Sequence, residues 1–219
     1  MKAMILAAGK GTRMGLVSES IPKPLTLIGS KSLIELNIIK IKEAGIDEII
    51  INVAWLGSQI IDKLGDGSKY GVKLNYSNEG DFPIGTAAGI YKAINFFDNE
   101  NFLLINADIY IDYIIGHAKK IEEGKLGHLI LVKNPEHHLK GDFSLKENNI
   151  FLSKKDNSYT YSGMSILSPN IFYNYSNIVA LEDVFKKMAI NNELTGELYE
   201  GFWSDIGTSE RLLAVKNNL

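Results

Sequence analysis

The sequence predicts an α/β fold, a doubly wound and mostly parallel sheet in a single 219-residue domain, with antiparallel additions in the C-terminal half. Three observations lead there. Apolar runs alternate with amphipathic helical patterns from the first residue onward, as in a parallel sheet covered by helices. The connections between them leave no room for a linker, and no Pro/Ser-rich, repeated or low-complexity segment divides the chain. Hydrophobic residues make up 45% and charged residues 22%, a globular balance that excludes disorder and fibres.

The first strand is expected at Ala3–Ala7, a short apolar run ending at glycine. Ser32–Ala44 has apolar residues at three- and four-residue spacing and predicts a helix closed by Gly45. The same periodicities give strands at Glu48–Val53, Val72–Tyr76, Phe102–Asn106 and Leu129–Val132. Helices are expected at Gly57–Leu64, Ile84–Phe97 and Tyr113–Glu123. Past residue 133 the pieces shorten to Asp142–Lys146, Ile150–Ser153, Ser158–Leu167, a helix near Leu181–Asn191, Tyr199–Trp203 and a terminal helix from Ser209. This half is expected to add antiparallel strands at one sheet edge and to build the second wall of a cleft.

Composition excludes several function classes. Twenty-three basic against 26 acidic side chains leave a net charge of -3, so there is no basic footprint for nucleic acid. Zero cysteines remove disulfides, thiolate zinc sites and cysteine nucleophiles together. The apolar run before Gly9 is too short for a signal segment, and no stretch approaches the roughly 20 residues that span a bilayer. A cytoplasmic protein without a membrane partner is expected.

Chemistry concentrates after the first strand, in Ala7-Ala8-Gly9-Lys10-Gly11-Thr12-Arg13-Met14-Gly15, with Lys23 further on in Ile21-Pro22-Lys23-Pro24-Leu25. Glycines at the carboxyl end of a parallel strand let backbone N–H groups approach phosphate oxygens. The dinucleotide fingerprint fails because Met14 holds the last glycine position, and a Walker A loop fails because Leu16 follows Gly15. The plainer alternative is a glycine-rich turn that only reverses the chain. Arg13 and Lys23, bracketing the loop, favour a phosphate cradle, and the two prolines should hold Lys23 on a stiff extended segment.

Asp108 follows the strand Phe102–Asn106, at the carboxyl edge where an open α/β sheet binds ligands. A carboxylate facing a phosphate loop suggests magnesium, which needs one or two carboxylates besides phosphate oxygens and water, and Asp205 is the second candidate. Asp205 could instead serve helix capping near Gly207 and Thr208. Neighbouring His137 and His138 on an extended segment would point to opposite faces and would not share a zinc ion.

The opening run through Arg13, together with Pro22-Lys23-Pro24-Leu25, resembles the signature of the sugar-1-phosphate nucleotidyltransferases. The segments 51–57, 64–71, 106–113, 134–143 and 203–212 resemble one branch, the N-acetylmuramate-1-phosphate uridylyltransferases of bacterial cell-wall recycling. The resemblance implies a Rossmann-like nucleotidyltransferase fold, with residues 1–110 mainly the nucleotide half and 111–219 mainly the sugar half. It implies nucleotide contacts from Ala8, Gly9, Gly11, Thr12, Arg13, Lys23, Glu79 and Thr86, with Glu79 near the uracil. Asn106 and Asp142 would meet the sugar phosphate, Asp108 and Asp205 would hold Mg2+, and Arg13, Lys23 and Asp108 would be catalytic. Its substrates would be a nucleoside triphosphate and a sugar 1-phosphate, handled by a monomer or small homo-oligomer.

Three segments depart from that pattern. Gly15–Ser20 replaces the common Arg-Pro-Leu-Thr run, and Ala180-Leu181-Glu182-Asp183-Val184 carries acids where the branch is usually apolar. Gly85-Thr86-Ala87-Ala88-Gly89 is closer to the mannose-1-phosphate guanylyltransferases, which makes mannose 1-phosphate with GTP the rival pair. A non-catalytic nucleotide-sensing module is the rival from another class.

Overall fold

The computed structural model describes residues 1–9, 20–117 and 120–218. Its strands are β1 (Ala3–Leu6), β2 (Leu27–Ile28), β3 (Lys31–Ser32), β4 (Glu48–Val53), β5 (Lys73–Asn78), β6 (Phe102–Asn106) and β7 (Ile109–Ile111), then β8 (Gly127–Lys133), β9 (Ser144–Lys146), β10 (Asn149–Phe151), β11 (Tyr159–Leu167), β12 (Leu194–Leu198) and β13 (Trp203–Asp205). The helices are α1 (Leu33–Glu43), α2 (Gly57–Leu64), α3 (Thr86–Lys92), α4 (Asn170–Asn174), α5 (Leu181–Ile190) and α6 (Ser209–Lys216).

The main sheet runs β5-β4-β1-β6-β11-β8-β12-β10-β9, and β7 pairs with β13 in a separate two-stranded sheet. Strands β5, β4, β1 and β6 are parallel. The chain steps from β1 outward to β4 and β5, then returns across β1 to β6. That reversal leaves a crevice between the carboxyl ends of β1 and β6, the usual ligand position in open α/β sheets.

Alternating side chains explain why both faces are covered. Ala3, Ile5, Ile49, Ile51, Leu103 and Ile105 face α1 and α2, packing with Ile34, Ile38, Ile41, Ile60 and Leu64. Met4, Ile50, Phe102 and Leu104 face the other way, against Ala87 and Ile90 of α3 and Val184, Phe185 and Met188 of α5. Helix α1 starts in a capping box in which Glu35 Oε2 accepts from both the amide and the hydroxyl of Ser32. Among the described residues no helix is long and apolar enough to cross a membrane.

Four local expectations differ from the structure. The β9–β10 hairpin does lie at the sheet edge, but the antiparallel β11 is inserted inside the sheet, between β6 and β8. Tyr113–Glu123 is not an α-helix in its described part, which has only a 3-10 turn at Ile115–His117. Ile111, Tyr113 and Ile115 are buried while Asp112, Ile114 and Gly116 are exposed, so burial alternates along this stretch instead of following a helical period. Tyr199–Trp203 spans the exit from β12 into β13, because the chain must leave the main sheet there to reach β7. Lys23 is not in extended backbone: Lys23–Leu25 is a 3-10 turn closed by Leu25 N to Pro22 O at 2.8 Å, a geometry that the φ of Pro24 also permits.

Candidate functional site

The crevice between β1 and β6 is a cleft of about 420 Å³ lined by Ala8, Gly9, Lys23, Asn52, Glu79, Thr86, Asn106 and Asp108, among others. Lys23 is buried, and its Nζ lies 2.6 Å from Asp108 Oδ2. The 3-10 turn presents the lysine from one side and the end of β6 presents the carboxylate from the other. The pair therefore stands at the mouth of the switch point, where an anion would meet both the ammonium and the ends of β1 and β6. Gly11, Thr12 and Arg13, the rest of the expected phosphate loop, lie outside the described residues.

On the far side of β1, Asn52 links three elements. Its Oδ1 accepts from Ala7 N at 2.8 Å and its Nδ2 donates to Glu79 Oε1 at 2.7 Å. Glu79 Oε2 accepts from Ile84 N at 3.0 Å. Thr86 lines the cleft as well, but its hydroxyl accepts from Leu181 N at 2.8 Å and ties α3 to the start of α5.

A second cleft of about 280 Å³ adjoins this one through Asn106 and Asp108 and is also lined by His137, His138, Tyr161, Trp203 and Asp205. The β7–β13 ladder brings the two aspartates to one place, with Asp205 opposite Ile109 and Ile206 N donating to Asp108 O at 2.8 Å. The terminal helix is capped by Thr208, whose hydroxyl accepts from Arg211 N at 3.3 Å, so Asp205 is free of the capping role.

Arg211 Nη1 stands 2.5 Å from Asp205 Oδ1 and donates to His137 Nε2 at 2.8 Å. The close charge contact does not give Asp205 Oδ1 an aligned hydrogen bond, although that oxygen is buried. Gly207 makes the approach possible, since a Cβ there would fall 2.5 Å from Arg211 Nη2. His137 Nε2 accepts from Arg211, whereas His138 Nε2 lies 2.8 Å from Asp142 Oδ1 and donates to it. The two histidines thus turn to separate partners, from a 3-10 turn at Glu136–His138 in place of the expected extended segment.

Asp142 does not line the cleft directly. Its Oδ2 accepts from Tyr161 N at 2.8 Å, so the carboxylate holds His138 and β11 together. Burial pushes the Tyr161 hydroxyl well above the usual phenol range, and it pairs with Ser165 Oγ at 2.9 Å.

The donor set fits magnesium. Each aspartate already faces a cation, Lys23 or Arg211, and Asp205 Oδ1 is a buried oxygen with unused acceptor capacity. Two carboxylates beside a cleft for phosphate groups are the protein ligands magnesium accepts, with phosphate oxygens and water completing its shell. Asn52 and Arg211 are the participants that sequence patterning did not single out. Arg211 lies within the 203–212 segment, but only the tertiary structure turns it onto Asp205.

Residues 2–139 match the nucleotidyl transferase family. The N-acetylmuramate alpha-1-phosphate uridylyltransferase of Neisseria meningitidis is 40% identical over 220 aligned residues, covering 97% of this chain and 95% of that protein. The UTP--glucose-1-phosphate uridylyltransferase of a Synechocystis strain is 34% identical over 148 residues, 62% of this chain and 38% of the relative. A solved structure of a putative glucose-1-phosphate thymidylyltransferase from Bacillus anthracis superposes with a TM-score of 0.87, covering 100% of this chain and 94% of the other at 20% identity, and shares the fold.

Proposed function

The chain belongs to the nucleotidyl transferase family, and on that premise we propose that it joins N-acetylmuramate 1-phosphate to UTP, giving the UDP-sugar and pyrophosphate in the recycling of bacterial cell wall. The observation that carries this reading is the 40% identity to the Neisseria enzyme, which runs through both walls of the cleft. The reaction takes place in the cytoplasm, with residues 1–110 mainly holding the nucleotide and 111–219 mainly the sugar.

An oxygen of the sugar phosphate attacks the α-phosphorus of UTP in line, and the bond from that phosphorus to the bridging oxygen of pyrophosphate breaks. The nucleophile is already ionised and the leaving group needs charge neutralisation, so positioning and electrostatics supply the catalysis. Lys23 neutralises charge on the α-phosphate and the incoming sugar phosphate. Arg13, with the amides of Ala8, Gly9, Gly11 and Thr12, holds the β- and γ-phosphates. Glu79 and Thr86 meet the base, while Asn106 contacts the sugar side and Asp142 supports it through His138. Asp108 and Asp205 would hold magnesium, which when bound supplies positive charge to the phosphate oxygens.

One specific observation favours a second pair. The Gly85–Gly89 segment that resembles the guanylyltransferases forms the start of α3, beside Glu79. Pyrophosphate release with four nucleotides and three sugar phosphates at equal concentration tests both readings. UTP with N-acetylmuramate 1-phosphate is expected to be fastest. Faster release from GTP with mannose 1-phosphate would overturn the assignment, and nucleotide binding with no release from any pair would point to the sensing module.

A further inference from the structure

We propose that Asn52 is a positioning residue for base selection, fixing the Glu79 carboxylate as an acceptor that favours bases with a ring N–H. The inference rests on the reading that the cleft takes a nucleoside triphosphate with its base on the Glu79 side.

Asn52 lies near the end of β4, in register with Leu6 of β1 and Ser77 of β5, and its side chain is 3% exposed. The hydrogen bonds leave no ambiguity in its amide orientation. Ala7 N can only donate, so the atom facing it is Oδ1, and Nδ2 must then face an acceptor, which is Glu79 Oε1. The second Glu79 oxygen is held by the Ile84 amide, and the Glu79 amide itself donates to Val53 O at 2.8 Å. Both carboxylate oxygens are thereby committed as acceptors, each with a lone pair left over. Uracil, thymine and guanine present a ring N–H that complements such a group. Cytosine and adenine present a ring nitrogen lone pair at the same place, which the carboxylate repels.

Gly89 completes the device from α3. A Cβ at that position would lie 2.4 Å from Glu79 Oε1 and 3.0 Å from Asn52 Nδ2, so any side chain there would push the pair apart. Glycine is a poor helix former beside alanine, and the approach of Glu79 is what this one permits. Asn52 borders the cleft, but its amide oxygen and nitrogen are taken up by Ala7 N and Glu79 Oε1, so its effect runs through Glu79 and through the Ala7 amide at the start of the phosphate loop.

The test is calorimetric titration of UTP and of CTP, without sugar phosphate, into wild type, Asn52→Ala, Glu79→Ala, the double variant and Gly89→Ala. Wild type is expected to prefer UTP, and Asn52→Ala to reduce the UTP/CTP affinity ratio about tenfold. In the Glu79→Ala background the same change should leave the ratio unaltered. Gly89→Ala keeps Asn52 and gains helix propensity, so it should lose the same preference, and it carries the test if Asn52→Ala does not fold. Equal weakening of both nucleotides in Asn52→Ala, or a retained preference in Gly89→Ala, overturns the inference and leaves nucleotidyl transfer intact. A wild-type protein that binds neither nucleotide overturns both.

Discussion

The two walls of the cleft are built in different ways. On the β1–β4–β6 wall, Asn52 and Lys23 are buried and fixed by hydrogen bonds to groups far away in sequence, Ala7 and Asp108. On the β7–β13 wall, Asp205, Arg211 and Asp142 are partly buried, His137 is exposed, and they are held with His138 by charge contacts among turns. The first wall can hold an invariant group, a base or a triphosphate, in one geometry. The second can adjust its side chains at small cost, because partly solvated ion pairs contribute little net stability. A rigid reader of the common substrate faces an adaptable reader of the variable one.

The largest effects should come from the rigid wall. Lys23→Met keeps the aliphatic stem and deletes the charge, and turnover is expected to drop about a hundred- to thousandfold, ~3–4 kcal/mol, by analogy with loss of one preorganised oxyanion donor. Asp108→Asn leaves a carbonyl oxygen to accept from Lys23, so it should stay folded while losing most turnover and much of its magnesium dependence. Steady-state kinetics with calorimetric UTP binding separates these outcomes. A Lys23→Met enzyme with normal turnover and only weaker UTP binding would make the lysine a docking cation and erase the contrast.

A smaller effect is expected across the cleft. Arg211→Met removes the only cation within 2.5 Å of the buried Asp205 oxygen among the described residues, and should cost no more than about 1 kcal/mol of stability. Magnesium should raise the thermal midpoint of this variant more than that of wild type, since either cation can neutralise Asp205. Identical metal-induced shifts in the two proteins would show that Arg211 and the metal do not compete for that carboxylate.

The smallest effects separate the scaffolds behind the walls by pH. His128 in β8 sits against Thr195, and burial pushes its pKa below the ordinary 6.5, against the pull of Glu197 and Glu122. An unfolded chain then binds the proton more readily than the folded one, so stability falls as pH drops from about 6.5 toward the depressed folded value. Burial also pushes Glu35 in α1 upward, but the Ser32 and Tyr70 hydrogen bonds and Lys63 outweigh it and hold it below 4.5. Its contribution is present above 4.5 and is lost as pH falls through the folded value. Chemical denaturation from pH 7 to 3 should therefore show two acid-side losses, the upper one absent in His128→Asn and the lower one, shared with Asp66 and Glu200, reduced in Glu35→Gln.

Much of this was legible in the chain. Periodicity located β1, β4 and β6 and the helices α1 and α2, because local burial on one or both faces repeats along the sequence. The glycine loop, Lys23, Asp108 and Asp205 stood out because charged groups beside strand ends have few structural reasons to be there. Tyr113–Glu123 misled because its apolar residues fit a helical period, whereas its described part forms only a 3-10 turn with burial alternating from Ile111 to Gly116. Strand β12 was missed since Gly196 interrupts it, a glycine required where a Cβ would lie 2.7 Å from Ile150 Cδ1. The insertion of β11 inside the sheet, the turning of Arg211 onto Asp205 and the bridge from Ala7 through Asn52 to Glu79 are pairings between residues 6 to 74 positions apart, or between whole strands. Sequence patterning records which face of an element is buried. Which distant group meets that face is decided when the sheet assembles, by the requirement that each buried donor find an acceptor.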